Sequence, residues 1–337
     1  MLNFDDQRFL RIQQGALAQS DRLAATTKEL VSRGAPNLFF VGSGGAGILM
    51  QPAHRLLRSR STFPAYVENP AELVANGCPD LGPGSVVVIP SLSGTTAESV
   101  ATLQLAKERG ATVITLVGHA ETPLADGADH AFVSFAEDDT SSEMFYLQSL
   151  VVALAVMDTR GEIDDYAGIL DELATMPALL LEAKRDFEQQ AEAIAKRIAD
   201  SDYHVITGAG SSWPQAFYYG MCILEEMQWI RTRPVHASDF FHGTLELVEP
   251  GVSVVLLKSE DGSRALGDRV EAFAERFTDQ LMVLDPADCS LPGLSTRVRE
   301  LVSPVVLATL LERVSAHLEV LRGHPLTTRR YYKRVEY

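Results

Sequence analysis

The chain has 337 residues, of which 46 % are apolar, enough for two domains with buried cores. Its formal net charge is −16, so it lacks the basic excess that binding to nucleic acid or anionic membranes requires. Three widely spaced cysteines form neither a disulfide framework nor a zinc motif, and the longest apolar run, 150–157, is too short to span a membrane. The acidic N-terminus lacks a signal core, which predicts a soluble, cytoplasmic α/β protein.

The sequence repeats a pattern of strand, loop and helix. Apolar runs ending in glycine occur at 37–44 and 203–210, and a helix-compatible stretch follows each. Further apolar runs at 85–90 and 252–258 each lead into a polar loop and another helix. Continuous apolar strands that alternate with helices are typical of parallel sheets buried on both faces. The repeat therefore predicts two tandem α/β domains.

The predicted domain boundaries follow from this repeat. We expect an N-terminal helix over 1–28, a first domain over 29–165, a linking helix over 166–195 and a second domain over 196–337. The linker is predicted as helical because apolar side chains recur every three or four residues between 178 and 198.

Residues 91–96, SLSGTT, are the best candidate anion site in the first repeat. They follow an apolar strand and precede a predicted helix, so an anion would meet hydroxyls, backbone N–H groups and the positive end of the helix dipole. Thr95 and Glu98 also have the spacing of a capping box, so capping alone is an equally weighted interpretation. The candidate phosphate ligands in this loop are Ser91, Ser93, Gly94 and Thr96.

The glycine-rich stretch GSGGAG at 42–47 matches a dinucleotide-binding fingerprint only loosely. Residues 60–62 supply no acidic side chain at the distance where such a site needs one. A tight turn that exposes backbone N–H groups, including that of Gly45, is the favoured interpretation.

A carboxylate in the second repeat is a candidate for acid–base chemistry. Residues 220–229, GMCILEEMQW, have a helical pattern in which Glu226 lies near the apolar face of Ile223 and Trp229. Glu225 is expected to face away, because adjacent helical positions differ by about 100°. Desolvation would raise the pKa of Glu226 and suit it to carry protons near neutral pH. A salt-bridged glutamate at a subunit contact is the alternative.

An imidazole follows sixteen residues later, at His242 in the segment DFFHG. Two aromatic rings, an imidazole and a glycine in a predicted loop indicate a pocket wall. A single histidine is more often structural than catalytic, and His236 is a competing candidate in the same region.

The two-repeat plan, the SLSGTTAES segment and the spacing of Glu226 and His242 resemble the sugar isomerase (SIS) family of phosphosugar-binding proteins. The segments EMQW at 226–229, HASDFFHG at 236–243 and HPLTTRRYYKRVEY at 324–337 are similar to those of its fructosamine-6-phosphate deglycases, with the closest likeness to the 6-phosphofructose-aspartate deglycases.

The resemblance implies two SIS domains, each with a five-stranded parallel sheet flanked by helices. It implies a homodimer with shared active sites, in which Glu226 and His242 come from different subunits and phosphate binds at 91–96. In the tail, which would close over the site, Arg330 and Lys333 are candidate substrate contacts. Many family members have a serine where this chain has alanine at 46, so one phosphate hydroxyl is missing.

The implied reaction is a reverse Amadori cleavage of a 6-phosphofructosamine to glucose 6-phosphate and a free amine or amino acid, with no metal or organic cofactor. A phosphosugar isomerase or a glucosamine-6-phosphate deaminase-like enzyme would use the same two residues. A non-catalytic sugar-phosphate sensor would need only the phosphate loop, so the presence of both residues favours an enzyme. Arginines that could pair an amino-acid carboxylate, or form surface ion pairs instead, are Arg231, Arg233, Arg329 and Arg330.

Overall fold

The chain divides into two compact units. The first unit is Asp6–Pro177, and the second unit comprises Met1–Asp5 and Ala178–Tyr337. The computed structural model describes residues 1–136, 141–332 and 334–336.

The first unit is built on a parallel sheet in the order β2-β1-β3-β4-β5. Its strands are β1 (Leu38–Val41), β2 (Ala65–Glu68), β3 (Val86–Ser91), β4 (Thr112–Val117) and β5 (His130–Val133). Its helices are α1 (Asp6–Leu17), α2 (Ser20–Ser32), α3 (Gly44–Ile48), α4 (Gln51–Arg60), α5 (Pro70–Asn76), α6 (Ala97–Glu108), α7 (Pro123–Gly127), α8 (Ser141–Thr159) and α9 (Tyr166–Ala174).

Apolar β-branched and aromatic residues make the central strands of this sheet. All residues of β1 and β3 are buried, and one face of these strands packs against α5 and α6 through Leu73 and Leu103. Helix α8 packs against α2 and α4, and it is apolar around its whole circumference, as expected for a helix enclosed by others. The central strands of the sheet are therefore buried on both faces.

The second unit has a parallel sheet in the order β7-β6-β8-β9. Its strands are β6 (Tyr203–Gly208), β7 (Arg231–His236), β8 (Ser253–Leu257) and β9 (Leu281–Leu284). Its helices are α10 (Met176–Ala199), which begins two residues before the unit, α11 (Ser212–Tyr218), a π-helix (Tyr219–Glu225), α12 (Ala237–Phe240), a 3₁₀ helix (Thr244–Leu247), α13 (Arg264–Phe277), a 3₁₀ helix (Pro286–Asp288) and α14 (Thr296–Arg322).

The strands predicted from apolar runs are confirmed in both units, but the prediction of a fifth strand in the second sheet is wrong for the described residues. After β9 the chain enters the 3₁₀ helix Pro286–Asp288 and then α14. The intervening sequence DPADCSLPGLS contains two prolines and a glycine and no apolar run, so it cannot add a paired strand.

Two further segments differ from the predicted pattern. The N-terminal region expected to hold one helix contains α1 and α2, and the region expected to hold one linking helix contains α9 and α10. Helix α14 is long and apolar enough to cross a membrane by length and composition, but 89 % of its most apolar window is buried within the protein. That burial is what a core helix requires.

Candidate functional site

The strand order of the first sheet reverses between β1 and β3, so the turns that follow these two strands lie side by side. A Cβ atom added to Gly42, which follows β1, would lie 3.0 Å from the Cγ atom of Pro90 in β3. Ligands of open α/β sheets bind at the carboxyl ends of the strands at such a reversal. The predicted anion loop, 91–96, leaves β3 at this point.

Two pairs of hydroxyl groups in this loop lie close together. The Oγ of Ser91 lies 3.3 Å from the Oγ1 of Thr96 and accepts a hydrogen bond of 3.2 Å from the backbone N–H of Gly94. The Thr95 hydroxyl donates to the Ser93 Oγ at 3.1 Å. Gly94 has φ +66°, and an added Cβ would lie 2.2 Å from the Thr122 hydroxyl, so glycine is required there.

The alternative interpretation of this loop, a capping box at Thr95 and Glu98, is wrong. The N-cap of α6 is Thr96, one residue later, and its side chain makes no capping hydrogen bond. The Thr96 hydroxyl faces Ser91 instead. Because the Thr96 side chain does not cap α6, it leaves the first backbone N–H groups available to an anion at the positive end of the helix.

The glycines of the first turn allow a close approach of backbone to backbone. A Cβ on Gly47 would lie 2.1 Å from the carbonyl oxygen of Gly42, so α3 folds back tightly onto the end of β1. Gly45 lies in α3 and, like Ala46 beside it, offers only a backbone N–H group. Packing therefore explains the spacing of the glycines that loosely resembles a dinucleotide fingerprint.

A cavity of about 850 Å³ opens in the second unit, at the amino ends of β6 and β7. We call it the tail cavity, because the C-terminal tail supplies one of its walls. Its lining residues are Tyr203, Glu225, Glu226, Trp229, Ile230, Arg231, Thr232, Arg329, Arg330, Tyr331 and Tyr332.

Both predicted carboxylates line this cavity, so the expectation that they face apart is wrong. The backbone N–H of Glu226 bonds to the carbonyl of Met221, five residues earlier, at 3.1 Å, and the preceding turns form the π-helix. A π-helix has more residues per turn than an α-helix, so neighbouring side chains diverge less. Glu225 accepts a hydrogen bond of 2.6 Å from the Thr232 hydroxyl in the same cavity.

The Glu226 carboxylate is held by an arginine from the tail. The Nε of Arg329 donates to Oε1 of Glu226 at 2.8 Å, and the Glu226 side chain is 32 % exposed. The Nη1 of Arg329 donates to the carbonyls of Leu326 and Thr328 at 2.6 and 3.0 Å. Glu226 is thus ion-paired and partly solvated rather than enclosed by apolar side chains, which corrects the predicted environment.

Trp229, an aromatic residue that lines the cavity, has an unusual backbone conformation. Trp229 has φ +56°, a left-handed conformation that a bulky residue adopts only under constraint. Its ring lies edge-on to His324 at 4.5 Å, and the Arg330 guanidinium lies 4.1 Å above it. Trp229 is 39 % exposed, whereas Ile223 is buried, so the prediction that both face inward holds for Ile223 alone.

His242 lies beyond the carboxyl end of β7, whereas the tail cavity lies at the amino ends of β6 and β7. It is exposed, and it comes two residues after α12, which begins where β7 ends. His236 accepts a hydrogen bond from the Ser238 N–H at 3.2 Å, and this bond caps α12. Glu226 and His242 of one chain therefore do not share the tail cavity.

Of the two predicted tail contacts, Arg330 lines the cavity, and Lys333 lies outside the described residues.

Among the residues that the structure describes, no group of three His, Cys, Asp or Glu side chains could hold a metal ion. Burial, with help from Glu226 and Glu225, raises the pKa of Cys222 to about 12, so its thiol stays protonated. Sequence reasoning missed the Arg329–Glu226 pair, because 103 residues separate its members.

The family model for the SIS domain matches residues 33–158. Over 319 residues the chain is 28 % identical to "Fructosamine deglycase FrlB" of Bacillus subtilis, covering 93 % of this chain and 96 % of the relative. It is also 25 % identical to "Fructoselysine 6-phosphate deglycase" of Escherichia coli K12, covering 91 % of this chain and 88 % of the relative. The chain therefore carries an SIS domain over residues 33–158 and is an enzyme.

Two solved structures share the fold of this enzyme. One is a protein of Bacillus subtilis assigned as a phosphosugar isomerase, with a TM-score of 0.87, 26 % identity, and coverage of 96 % of this chain and 99 % of that chain. The other is a protein of Salmonella typhimurium with the same assignment, a TM-score of 0.87, 29 % identity, and coverage of 96 % and 97 %.

The SIS domain contains the hydroxyl loop but not the tail cavity. Residues 91–96 fall inside the matched range 33–158, in the first unit. Glu226 and His242 fall outside it, in the part of the chain that is aligned with the deglycases.

Proposed function

We propose that this enzyme is a deglycase that converts a 6-phosphofructosamine to glucose 6-phosphate and a free amine. The observation that carries the proposal is that one chain holds an uncapped hydroxyl loop suited to a phosphate and a cavity of about 850 Å³ lined by an oriented carboxylate. The similarity to two named deglycases over more than nine-tenths of the chain supports it.

The proposed phosphate site is the loop 91–96. The ester oxygens would accept hydrogen bonds from the hydroxyls of Ser91 and Thr96 and from the free N–H groups at the start of α6. The Ser93 hydroxyl would add a further donor. Gly94 and Gly45 would contribute backbone N–H groups and, having no side chain, would let the phosphate approach closely. Backbone donors suit a chain with net charge −16, because they attract one anion locally without a basic surface.

The proposed chemistry moves one proton between neighbouring carbons. Glu226 removes a proton from C1, which bears the nitrogen, and an enaminol forms as the C2 oxygen is protonated. Return of the proton to C2 gives a Schiff base at C1, to which water adds before the C–N bond breaks and the amine leaves with a proton. His242 opens the sugar ring and handles the oxygen proton, and each such group contributes about 10²–10⁴ in rate.

We also propose that the active enzyme is a homodimer with shared sites, whose second unit is a second SIS domain. The strand order of the second unit repeats the first four strands of the first unit. Strand β7 has six residues and is about 17 Å long at the usual rise per residue. Its amino end lies at the cavity that contains Glu226, and its carboxyl end leads to His242. Two groups so placed act on one substrate only if they come from two protomers.

The test is a coupled assay in which 6-phosphofructosyl-glycine is the substrate and glucose 6-phosphate is detected with glucose-6-phosphate dehydrogenase. Glu226→Gln and His242→Ala should each reduce kcat by at least about 10²-fold. Fructose 6-phosphate in the same assay reveals an isomerase. Turnover of fructose 6-phosphate alone, or normal turnover of the amine substrate by both variants, contradicts the proposed function.

Mixing the two inactive variants tests the shared site. Random exchange makes half of the dimers mixed, and each mixed dimer holds one intact Glu226–His242 pair, so about one quarter of wild-type activity should return. Each variant mixed with itself is the control. No recovery after verified subunit exchange would contradict the shared site.

A further inference from the structure

Two neighbouring carboxylates in the tail cavity are held by different protein donors. The Thr232 hydroxyl donates to Oε1 of Glu225 at 2.6 Å, and the Nε of Arg329 donates to Oε1 of Glu226 at 2.8 Å. Both carboxylates line the same cavity, and their Cα atoms are about 3.8 Å apart because the residues are consecutive. The chain therefore presents two oriented carboxylates where the proposed proton transfer between C1 and C2 uses one.

The proposed reaction has a second half that acts on different atoms. Glu226 serves the carbons C1 and C2, and its task ends when the protonated Schiff base has formed. Hydrolysis of the Schiff base then needs a base for the attacking water, an acid for the nitrogen and a base for the new hydroxyl group. Interconversion of an aldose and a ketose has no such half. A second carboxylate beside the first is thus a feature that cleavage of a C–N bond can use and isomerisation cannot.

Glu225 has the surroundings that this second task requires. It is exposed, so water reaches it in the cavity. In the part of the chain that the structure describes, its carboxylate makes one hydrogen bond, through Oε1, which leaves Oε2 for a water molecule or the substrate nitrogen. Thr232 lies on β7, so the bond that orients Glu225 comes from the sheet. An exposed glutamate is ionised at neutral pH and can begin the step as a base.

We propose that Glu225 is the acid–base group of the hydrolytic half of the reaction. It takes a proton from water as the water oxygen bonds to C1 and the π electrons of the C1–N double bond move to nitrogen. It returns that proton to the nitrogen of the carbinolamine. It then takes the proton of the C1 hydroxyl as the C1 carbonyl forms, and the C–N bonding pair leaves on the nitrogen. The proton on Glu225 finally passes to the free amine.

This inference rests on the proposed deglycase function and adds a second catalytic carboxylate to it. The experiment follows two signals from 6-phosphofructosyl-glycine in deuterium oxide. Exchange of a C1 hydrogen of unreacted substrate, seen by NMR against a sample without protein, reports the first half. Glucose 6-phosphate in the coupled assay reports the second half. Glu226→Gln should abolish both signals, because no proton leaves C1.

Glu225→Gln should separate the two signals. Its kcat for glucose 6-phosphate should fall by at least about 10²-fold with little change in KM, because the hydrolytic half loses its acid–base group. The exchange at C1 should continue, because Glu226 is intact. Glutamine can still accept the Thr232 hydrogen bond, so the variant keeps the local structure.

Thr232→Val removes the hydroxyl that orients Glu225 and keeps the carboxylate. It should lower kcat for glucose 6-phosphate by about 10-fold and leave the exchange unchanged, the loss expected for one hydrogen bond to a charged group. Glu249→Gln is the matched control, because Glu249 is exposed and lies outside the tail cavity. It should behave as the wild-type protein, and thermal unfolding checks that every variant folds.

The outcomes separate this inference from the function on which it rests. Release of glucose 6-phosphate by Glu225→Gln at the wild-type rate overturns the inference and leaves the deglycase function standing. Loss of exchange and release together in Glu225→Gln, to the extent seen in Glu226→Gln, also overturns it, because Glu225 would then act in the first half. A wild-type protein that releases no glucose 6-phosphate overturns both the function and the inference.

Discussion

Equivalent loops of the two units differ in the groups that surround their backbone N–H donors. In the first unit, 91–96 (SLSGTT) follows β3, and in the second unit, 259–264 (SEDGSR) follows β8. Both loops lie at the point where the strand order reverses. The N-cap side chain makes no capping hydrogen bond in the helix after either loop, but the first loop is lined by hydroxyls, whereas the second contains a carboxylate, Asp261, that accepts backbone hydrogen bonds.

Asp261 takes the hydrogen bonds that a bound anion would accept. Its two oxygens accept from the backbone N–H groups of Ser211 and Ser263 at 2.8 and 2.7 Å. Burial alone would raise the pKa of Asp261, but these hydrogen bonds outweigh burial and lower it below its usual value. The equivalent residue in the first loop is Ser93, whose shorter neutral side chain bonds only within the loop. In the second loop these N–H groups are therefore bonded within the protein by Asp261.

The largest expected effect is the difference in stability and activity between alanine substitutions at the equivalent glycines of the two loops, Gly94 and Gly262. Gly94→Ala should destabilise the protein by about 3 kcal/mol and abolish phosphosugar turnover, because Gly94 has φ +66° and its new Cβ would lie 2.2 Å from the Thr122 hydroxyl. Gly262→Ala is the matched control, since no atom lies within 4 Å of its Cβ position and its φ is not positive. Urea unfolding and the coupled assay measure both variants, and equal losses would contradict the comparison.

A smaller effect is expected when the carboxylate is removed from the second loop. Asp261→Ala should lower the free energy of unfolding by about 2 kcal/mol, because two buried N–H groups lose a charged acceptor. Sulfate or inorganic phosphate should restore part of that loss by occupying the vacated position. Urea unfolding with and without sulfate tests this, with Glu249→Ala as an exposed acidic control. Equal responses of the two variants to sulfate would show that Asp261 is not an anion substitute.

The smallest expected effect is a pH dependence of the stability that Asp261 contributes in the second loop. Because the pKa of Asp261 is lowered on folding, its contribution is complete above the unfolded pKa of about 3.9 and is lost as the pH falls through the folded value. The difference in urea midpoint between the wild-type protein and Asp261→Asn should therefore be constant above about pH 5 and shrink at lower pH. A difference that persists unchanged at pH 2.5 would contradict this assignment.

The strands and the hydroxyl loop could be predicted because their signals are local. An apolar run followed by serine, glycine and threonine identifies β3 and the loop 91–96 without knowledge of the rest of the chain. The capping detail was wrong by one residue, because hydrogen-bond geometry rather than spacing selects the N-cap. The orientation of Glu225 and Glu226 was wrong because a π-helix has no distinct sequence period.

The amino-acid sequence by itself determined the parallel α/β architecture, the open loop in the first unit and the candidate pair Glu226 and His242. Only the tertiary structure decided that Arg329 holds Glu226, that Asp261 closes the second loop, and that β7 separates Glu226 from His242. The physical reason is the range of the interactions. Burial patterns and turn preferences act between near neighbours in sequence, whereas ion pairs and cavities join residues that only the folded chain brings together.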